Sequence, residues 1–367
     1  MYQPNTAPPN LLKTKQHFEI LDGLRGIAAV AVLIFHFLEF IYPDYVDNLF
    51  AHSFLAVDFF FCLSGFVIAY AYDTRLEKIG FLNFIKLRLI RLHPLVVIGA
   101  VIGLLCWVFD PFVDLYSKYG PGQTIIMFVT SCLMIPYPLV TERYFNLFHL
   151  NPPTWSLFWE YIANIFYAIV LFRIKNKWLW IATIIAAIGL FVEAKVSKYL
   201  GVGWGGDSFR GGGVRVAFSF LAGILVYRSN WIIKNRLGFV VIGLMLLGAF
   251  MFPFSKTFNW VIDPLVVILY FPLIVALGAG ASLSEGVSRI CRFLGNISYP
   301  LYMIHYPFLW IFGSYIEKYK PSIGELKYIV PVCAILLIAL AYLILRFVDE
   351  PVRERLRNLM KEKAAKQ

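Results

Sequence analysis

Apolar and polar positions do not interleave along most of this chain; they separate into long apolar runs joined by short polar connectors. A helical crossing of about 30 Å of hydrocarbon needs roughly 17–25 mostly apolar residues, so runs of that size bounded by charge, Pro or Gly mark spans. Ten emerge, at approximately Leu24–Tyr42, Phe54–Tyr72, Leu92–Phe109, Trp155–Phe172, Trp178–Val192, Val214–Tyr227, Leu237–Phe252, Phe258–Ala281, Ile297–Tyr315 and Tyr328–Phe347. Val214–Tyr227 is short, and Gly211–Gly213 ahead of it could extend the crossing. An eleventh stretch, Ile125–Pro138, is also short and ends in Ile-Pro-Tyr-Pro, which suits an interfacial or re-entrant segment. The pattern predicts an all-α integral membrane protein of about ten transmembrane helices.

Charge gives the spans a direction. Connectors facing the cytoplasm carry the excess of Lys and Arg. With the N-terminus inside, the inner connectors hold Arg75, Lys78, Lys86, Arg88 and Arg91, then Arg173, Lys175 and Lys177, then Arg228, Lys234 and Arg236, whereas residues 43–53 outside hold neither Lys nor Arg. A full crossing by Ile125–Pro138 would reverse every later connector. Both termini are therefore expected in the cytoplasm of a bacterial-type inner membrane. The expected division is a cytoplasmic segment 1–20, a membrane domain 21–350 and a basic cytoplasmic tail 351–367, with no soluble domain attached.

Composition agrees. Of 367 residues, 60% are hydrophobic and 15% charged, outside the usual range of soluble domains. The net charge of +11 sits in the connectors, which argues against nucleic acid as a partner. Cys62, Cys106, Cys132 and Cys333 lie inside apolar runs and Cys291 in a basic connector, so neither a disulfide framework nor a metal site is expected. The glycine-rich stretch 201–206, in an outer loop, reads as a mobile segment, either a plain connector or an entrance.

A charge inside a span is costly and is by default a functional candidate facing a cavity. In span one, eleven residues separate Arg25 from His36, about 16 Å of rise and about 1,100° of turn, so one groove can see both. Asp58 in span two and Glu160 in span four are expected in the outer half, near His36; an imidazole beside a carboxylate is what proton transfer requires. At the inner side Arg88 and Arg91 are three apart on one helical face and, with Arg25, would clamp a phosphate. Ser64, Trp155, Ser156, Tyr302 and His305 complete the polar and aromatic candidates for the same cavity, Tyr302 and His305 sharing a face. Each also has a plain alternative: helix-to-helix hydrogen bonding for the acids and His36, headgroup anchoring for the arginine pair, core packing for the tyrosines.

Taken together these residues resemble the acyltransferase-3 family of membrane acyltransferases. Leu21-Asp-Gly-Leu-Arg25-Gly with His36 is similar to its Arg/Lys-ten-residues-His motif, and Arg88-Leu-Ile-Arg91 to its Arg-x-x-Arg motif. Val57-Asp58 through Ser64-Gly65-Phe, Trp155-Ser-Leu-Phe-Trp-Glu160, Ile297 through His305 and Val348-Asp-Glu-Pro351 resemble further blocks. The resemblance implies ten spans and transfer of an acyl group, usually acetyl, from cytoplasmic acyl-CoA to a hydroxyl of an extracytoplasmic glycan or similar acceptor. It puts Arg25, Arg88 and Arg91 at the CoA phosphates and His36 at the reacting centre, in a stand-alone form without an appended hydrolase-like domain. Tyr161 and Ile162 depart from the acid or amide character that relatives often carry after Glu160. His36 is expected to act as general base, with a transient acyl carrier as the other option. The rival from another class is a proton-coupled secondary transporter, since acids and histidines at mid-membrane also relay protons.

Overall fold

The computed structural model describes residues 18–283 and 285–365. Most of the expected segment 1–20 and the last two residues of the tail lie outside them. Every regular element among the described residues is helical. In chain order they are α1 (Glu19–Ile41), α2 (Ala56–Tyr72), α3 (Leu76–Ile79), α4 (Phe81–Val108), α5 (Leu115–Leu133), α6 (Thr154–Phe166), α7 (Asn176–Ser197) and α8 (Phe209–Arg228). There follow α9 (Gly238–Phe250), α10 (Asn259–Leu265), α11 (Phe271–Gly280), α12 (Glu285–Tyr319), α13 (Ile323–Ile344) and α14 (Glu350–Ala365). Wide π turns at Tyr167–Leu171 and Val266–Tyr270 continue α6 and join α10 to α11.

Eight helical segments are long and apolar enough to cross a membrane, among the described residues. The two further predicted spans are also helices packed in the bundle: α9, with 13 residues, and α12, whose 35 residues begin in a polar stretch. The chain is a multi-pass membrane protein. Three boundaries differ from the sequence expectation. α4 starts eleven residues before Leu92, so the helical face that carries Arg88 and Arg91 is continuous with the span. α12 starts at Glu285 instead of Ile297. The stretch read as Ile125–Pro138 is the second half of α5, which breaks at Gly120 (φ 73°) before Pro121; the chain leaves the helix at Met134 in a left-handed conformation. The helix is absent from the spanning set, as an interfacial segment would be.

Termini follow local chemistry. Ser322 accepts from the Glu325 amide and the Glu325 carboxylate accepts from the Ser322 amide, a reciprocal cap that starts α13. Between helices, close approach depends on missing side chains. α2 lies along α8, and a Cβ on Gly65 would stand 2.1 Å from the Phe220 carbonyl oxygen, one on Gly223 1.9 Å from that of Cys62. In lipid, where apolar burial gives no net drive between helices, such backbone contact supplies the packing. α1 lies along α12 in the same bundle. The expected tail is mostly α14, which returns to pack on α4.

Candidate active site

At the end of the bundle where α1 finishes, a cavity of about 540 Å³ opens between α1, α6, α8, α12 and their connectors. Its wall is aromatic: Trp155, Tyr199, Trp204, Tyr302, Tyr306 and Trp310 all line it. Among the aromatics sit three ionisable side chains of fixed geometry, His36, Glu39 and Arg215.

His36 is a fifth exposed. Its Nδ1 is 2.9 Å from Glu39 Oε2, one helical turn on. A carboxylate only accepts, so Nδ1 carries a hydrogen, and in the neutral imidazole Nε2 keeps its lone pair. Glu39 Oε1 in turn accepts from the Tyr45 hydroxyl at 2.5 Å. Burial, and then the Glu39 charge beside it, push the Tyr45 phenol well above its ordinary range, which keeps it a donor. The imidazole is held in place by rings: it stacks on His305 (5.6 Å between centroids, 28°) and meets Tyr306 edge-on at 4.8 Å. His305 is buried; its Nδ1 donates to the carbonyls of Leu301 and Tyr302, and its Nε2 has no partner among the described residues.

The two acids expected beside His36 are placed otherwise. Asp58 is fully buried and takes a forked grip from Arg215, with Nη2 at 2.6 Å and Nε at 3.1 and 3.2 Å. Arg215 also donates to the carbonyls of Val202 and Phe54 and lies over the Trp155 ring. Asp58 is thus paired with Arg215, and the carboxylate beside His36 is Glu39 instead. Glu160 accepts from Ser64 at 2.8 Å and from Arg88 at 3.0 Å, and is not among the residues that line the cavity. The spacing along each helix did not encode which neighbour each acid meets.

The arginines gather toward the end where α1 begins. Arg25 donates to the Ser298 hydroxyl (2.9 Å) and the Gly295 carbonyl (2.8 Å) and pairs with Asp22 (3.2 Å). Arg88 is buried, with Nε unpartnered. Arg91 is exposed and within electrostatic reach of Arg88, Arg25 and Glu160, and it forms no ion pair with a carboxylate among the described residues. The three cations therefore form one group, of which Arg91 and Arg88 retain free donors. Ser156 shares a buried hydrogen bond of 2.9 Å with Tyr302 of the cavity wall. No group of three or more His, Cys, Asp or Glu among the described residues is arranged to hold a metal ion.

The glycine-rich stretch differs from the mobile loop expected. Val202 is tied to Arg215, the Leu147 amide donates to the Trp204 carbonyl, and Gly206 donates to Phe145. Gly211–Gly213 form the first turn of α8, pressed on tryptophan: a Cβ on Gly212 would stand 2.4 Å from Trp159 Nε1. These glycines serve close contact, not slack.

Glu39, Tyr45 and Arg215 were not singled out from the sequence. The signals were present, a carboxylate three residues after His36 and a cation at the start of span six, but both sit at run boundaries where a charge is ordinary.

Comparison with known proteins bears on this geometry. A family profile described as "Acyltransferase domain" matches residues 18–346. "Protein 2 in picA locus" of Rhizobium radiobacter is 35% identical over 190 residues, 49% of this chain and 95% of that protein. "O-acetyltransferase OatA" of Staphylococcus aureus is 26% identical over 373 residues, covering 91% of this chain and 57% of the relative. "Peptidoglycan O-acetyltransferase OatA" of Listeria monocytogenes is 26% identical, covering 93% and 56%. The chain thus spans little more than half the length of the OatA proteins it matches. No solved structure matches it. With the profile covering nearly the whole membrane bundle, the chain belongs to the acyltransferase-3 family.

Proposed function

We propose that this protein is an O-acyltransferase of a bacterial-type inner membrane, moving an acyl group, acetyl in the first instance, from cytoplasmic acyl-CoA to a hydroxyl of an extracytoplasmic glycan. The observation that carries this reading is the His36 imidazole at the cavity wall, its Nδ1 held by Glu39 and its Nε2 without a partner among the described residues. The names of the OatA relatives support a glycan hydroxyl as acceptor and acetyl as the group transferred. The aromatic wall suits the apolar faces of sugar rings, which stack on flat side chains. The reading takes residues 21–350 as one catalytic unit, with both termini cytoplasmic.

In this mechanism His36 Nε2 takes the proton of the acceptor hydroxyl as its oxygen attacks the thioester carbonyl. The new C–O bond forms, the C–S bond breaks, and the imidazolium returns the proton to the departing CoA thiolate. Glu39 holds the tautomer and supports the imidazolium, and Tyr45 holds Glu39. Arg88 and Arg91 donate to the CoA phosphates, Arg25 backing them from the start of α1. Eleven residues of α1, about 16 Å of rise, separate Arg25 from His36, a span the pantetheine arm would bridge. Asp58 acts through Arg215 on the shape of the wall and not on the proton.

The test is CoA release by purified protein in liposomes, given acetyl-CoA and a glycan acceptor. The expected result is acceptor-dependent release in the wild type and little in His36→Ala of equal folding. Full transfer by His36→Ala, or movement of a substrate across the bilayer without thioester consumption, would overturn the proposal.

A further inference from the structure

A second cavity, of about 640 Å³, shares no residue with the first. It lies between α7, α8, the Val266–Tyr270 turn and α11, walled by Ile184, Ala187, Phe218, Leu225, Leu269 and Leu273. Asn230 leaves α8 in a left-handed conformation (φ 54°) and sends Trp231–Ile233 across one end. That crossing is pinned, because the Ile233 amide donates to the Ala276 carbonyl and the Asn235 side chain to that of Leu277. Trp180 and Trp231 meet there edge to face at 5.4 Å. Along its length the groove opens sideways, with Ile184 56% and Leu269 64% exposed. On a membrane-spanning bundle that opening faces acyl chains, not water.

The mouth is cationic. Trp180, Ile184 and Ala187 fall on one face of α7, and Lys177 precedes Trp180 on that face by one turn. Lys234 follows Ile233 directly, and Arg236 lies two residues on. All three are exposed, and none forms an ion pair with a carboxylate among the described residues; Lys177 rests 6.0 Å over the Trp178 ring. An apolar groove, a tryptophan pair at its end and unpaired cations around it match a phospholipid's three parts: tail, interface and phosphate.

We propose that this groove binds one acyl tail of an anionic phospholipid, whose headgroup the Lys177, Lys234 and Arg236 cluster recognises. The site is independent of the acyl-transfer chemistry. The test is tryptophan emission of the full chain in vesicles, titrated with phosphatidylglycerol or phosphatidylcholine carrying brominated tails. The fraction quenched at the groove is the difference between wild type and Trp180→Phe/Trp231→Phe. It is expected to half-saturate at an at least about fivefold lower mole fraction of the anionic lipid. In Lys177→Ala/Lys234→Ala/Arg236→Ala the preference is expected to vanish while quenching by phosphatidylcholine persists. Equal half-saturation for the two lipids in the wild type would overturn the proposal. So would a difference that survives the triple substitution. Absence of quenching at Trp180 and Trp231 would also overturn it, as it would if a second copy of the chain covered the groove.

Discussion

Two acid–base pairs meet at one cavity, the first reaching its wall only through Arg215, and they differ in almost every respect. Arg215 and Asp58 are 1% and 0% exposed, and the guanidinium spends its donors on the carboxylate and on two backbone carbonyls. His36 and Glu39 are 20% and 29% exposed, and the imidazole keeps one nitrogen free. Removing either member of a buried pair strands a charge, so the first pair fixes the distance between α2 and α8 and can do little else. The second is held firmly on one side and open on the other, which is what a proton-transferring group requires. Depth in the membrane does not separate structural from reactive charges; unfilled hydrogen-bonding capacity at a cavity does.

The comparison can be broken by substitution. His36→Gln should lower acyl transfer about 10²- to 10⁴-fold with an unchanged unfolding profile, measured as CoA release per folded molecule. Asp58→Ala should do the reverse: about 3–5 kcal/mol of stability lost, read from denaturant-induced unfolding in micelles, with the rate per folded molecule falling far less than for His36→Gln. A comparable rate loss in Asp58→Ala at undiminished stability would erase the distinction.

A third histidine sharpens it. His149, in the connector before α6, accepts from the amides of Leu139 and Val140 through Nε2 and is 2% exposed. Burial, helped by the Arg143 charge, pushes it down to about 4. Between that value and the unfolded value of about 6.5 the unfolded segment binds the extra proton, so stability falls with pH over this window. The loss approaches about 3 kcal/mol at the lower end. The same connector contributes Tyr144 and Asn146 to the cavity wall. Deuterium uptake of residues 139–149, corrected for intrinsic exchange, should rise as pH drops from 7 to 4.5, and stay flat in His149→Gln.

Smaller effects are expected nearer the proton path and at the phosphates. Glu39→Gln keeps the shape and withdraws the charge, so transfer should fall roughly 10- to 100-fold, the rate equivalent of a hydrogen bond to a charged group. Arg91→Ala should raise the KM for acyl-CoA about tenfold and leave kcat within a factor of a few. An equal loss in kcat would put Arg91 at the reacting centre instead.

The sequence by itself determined that this is a helical membrane bundle, and which runs of residues form its long helices. An apolar run of about twenty residues has one stable solution in lipid, because every backbone polar group must be satisfied within the segment. It also determined that Arg25 and His36 share a face of α1 and that Arg88 and Arg91 share one of α4, since helical periodicity is local. Which helices touch was decided only by tertiary structure. Asp58 goes to Arg215, 157 positions away, and Glu160 to Arg88, 72 positions away, while Glu39 takes the place expected for both. The glycines of 201–213 looked like slack, yet Gly203, Gly212 and Gly213 proved to be contact surfaces for Trp155 and Trp159. The physical reason is the same in each case. A periodic pattern fixes depth and facing on one helix, whereas the partner of a buried charge depends on how two helices are rotated against each other, and no single run of residues encodes that angle.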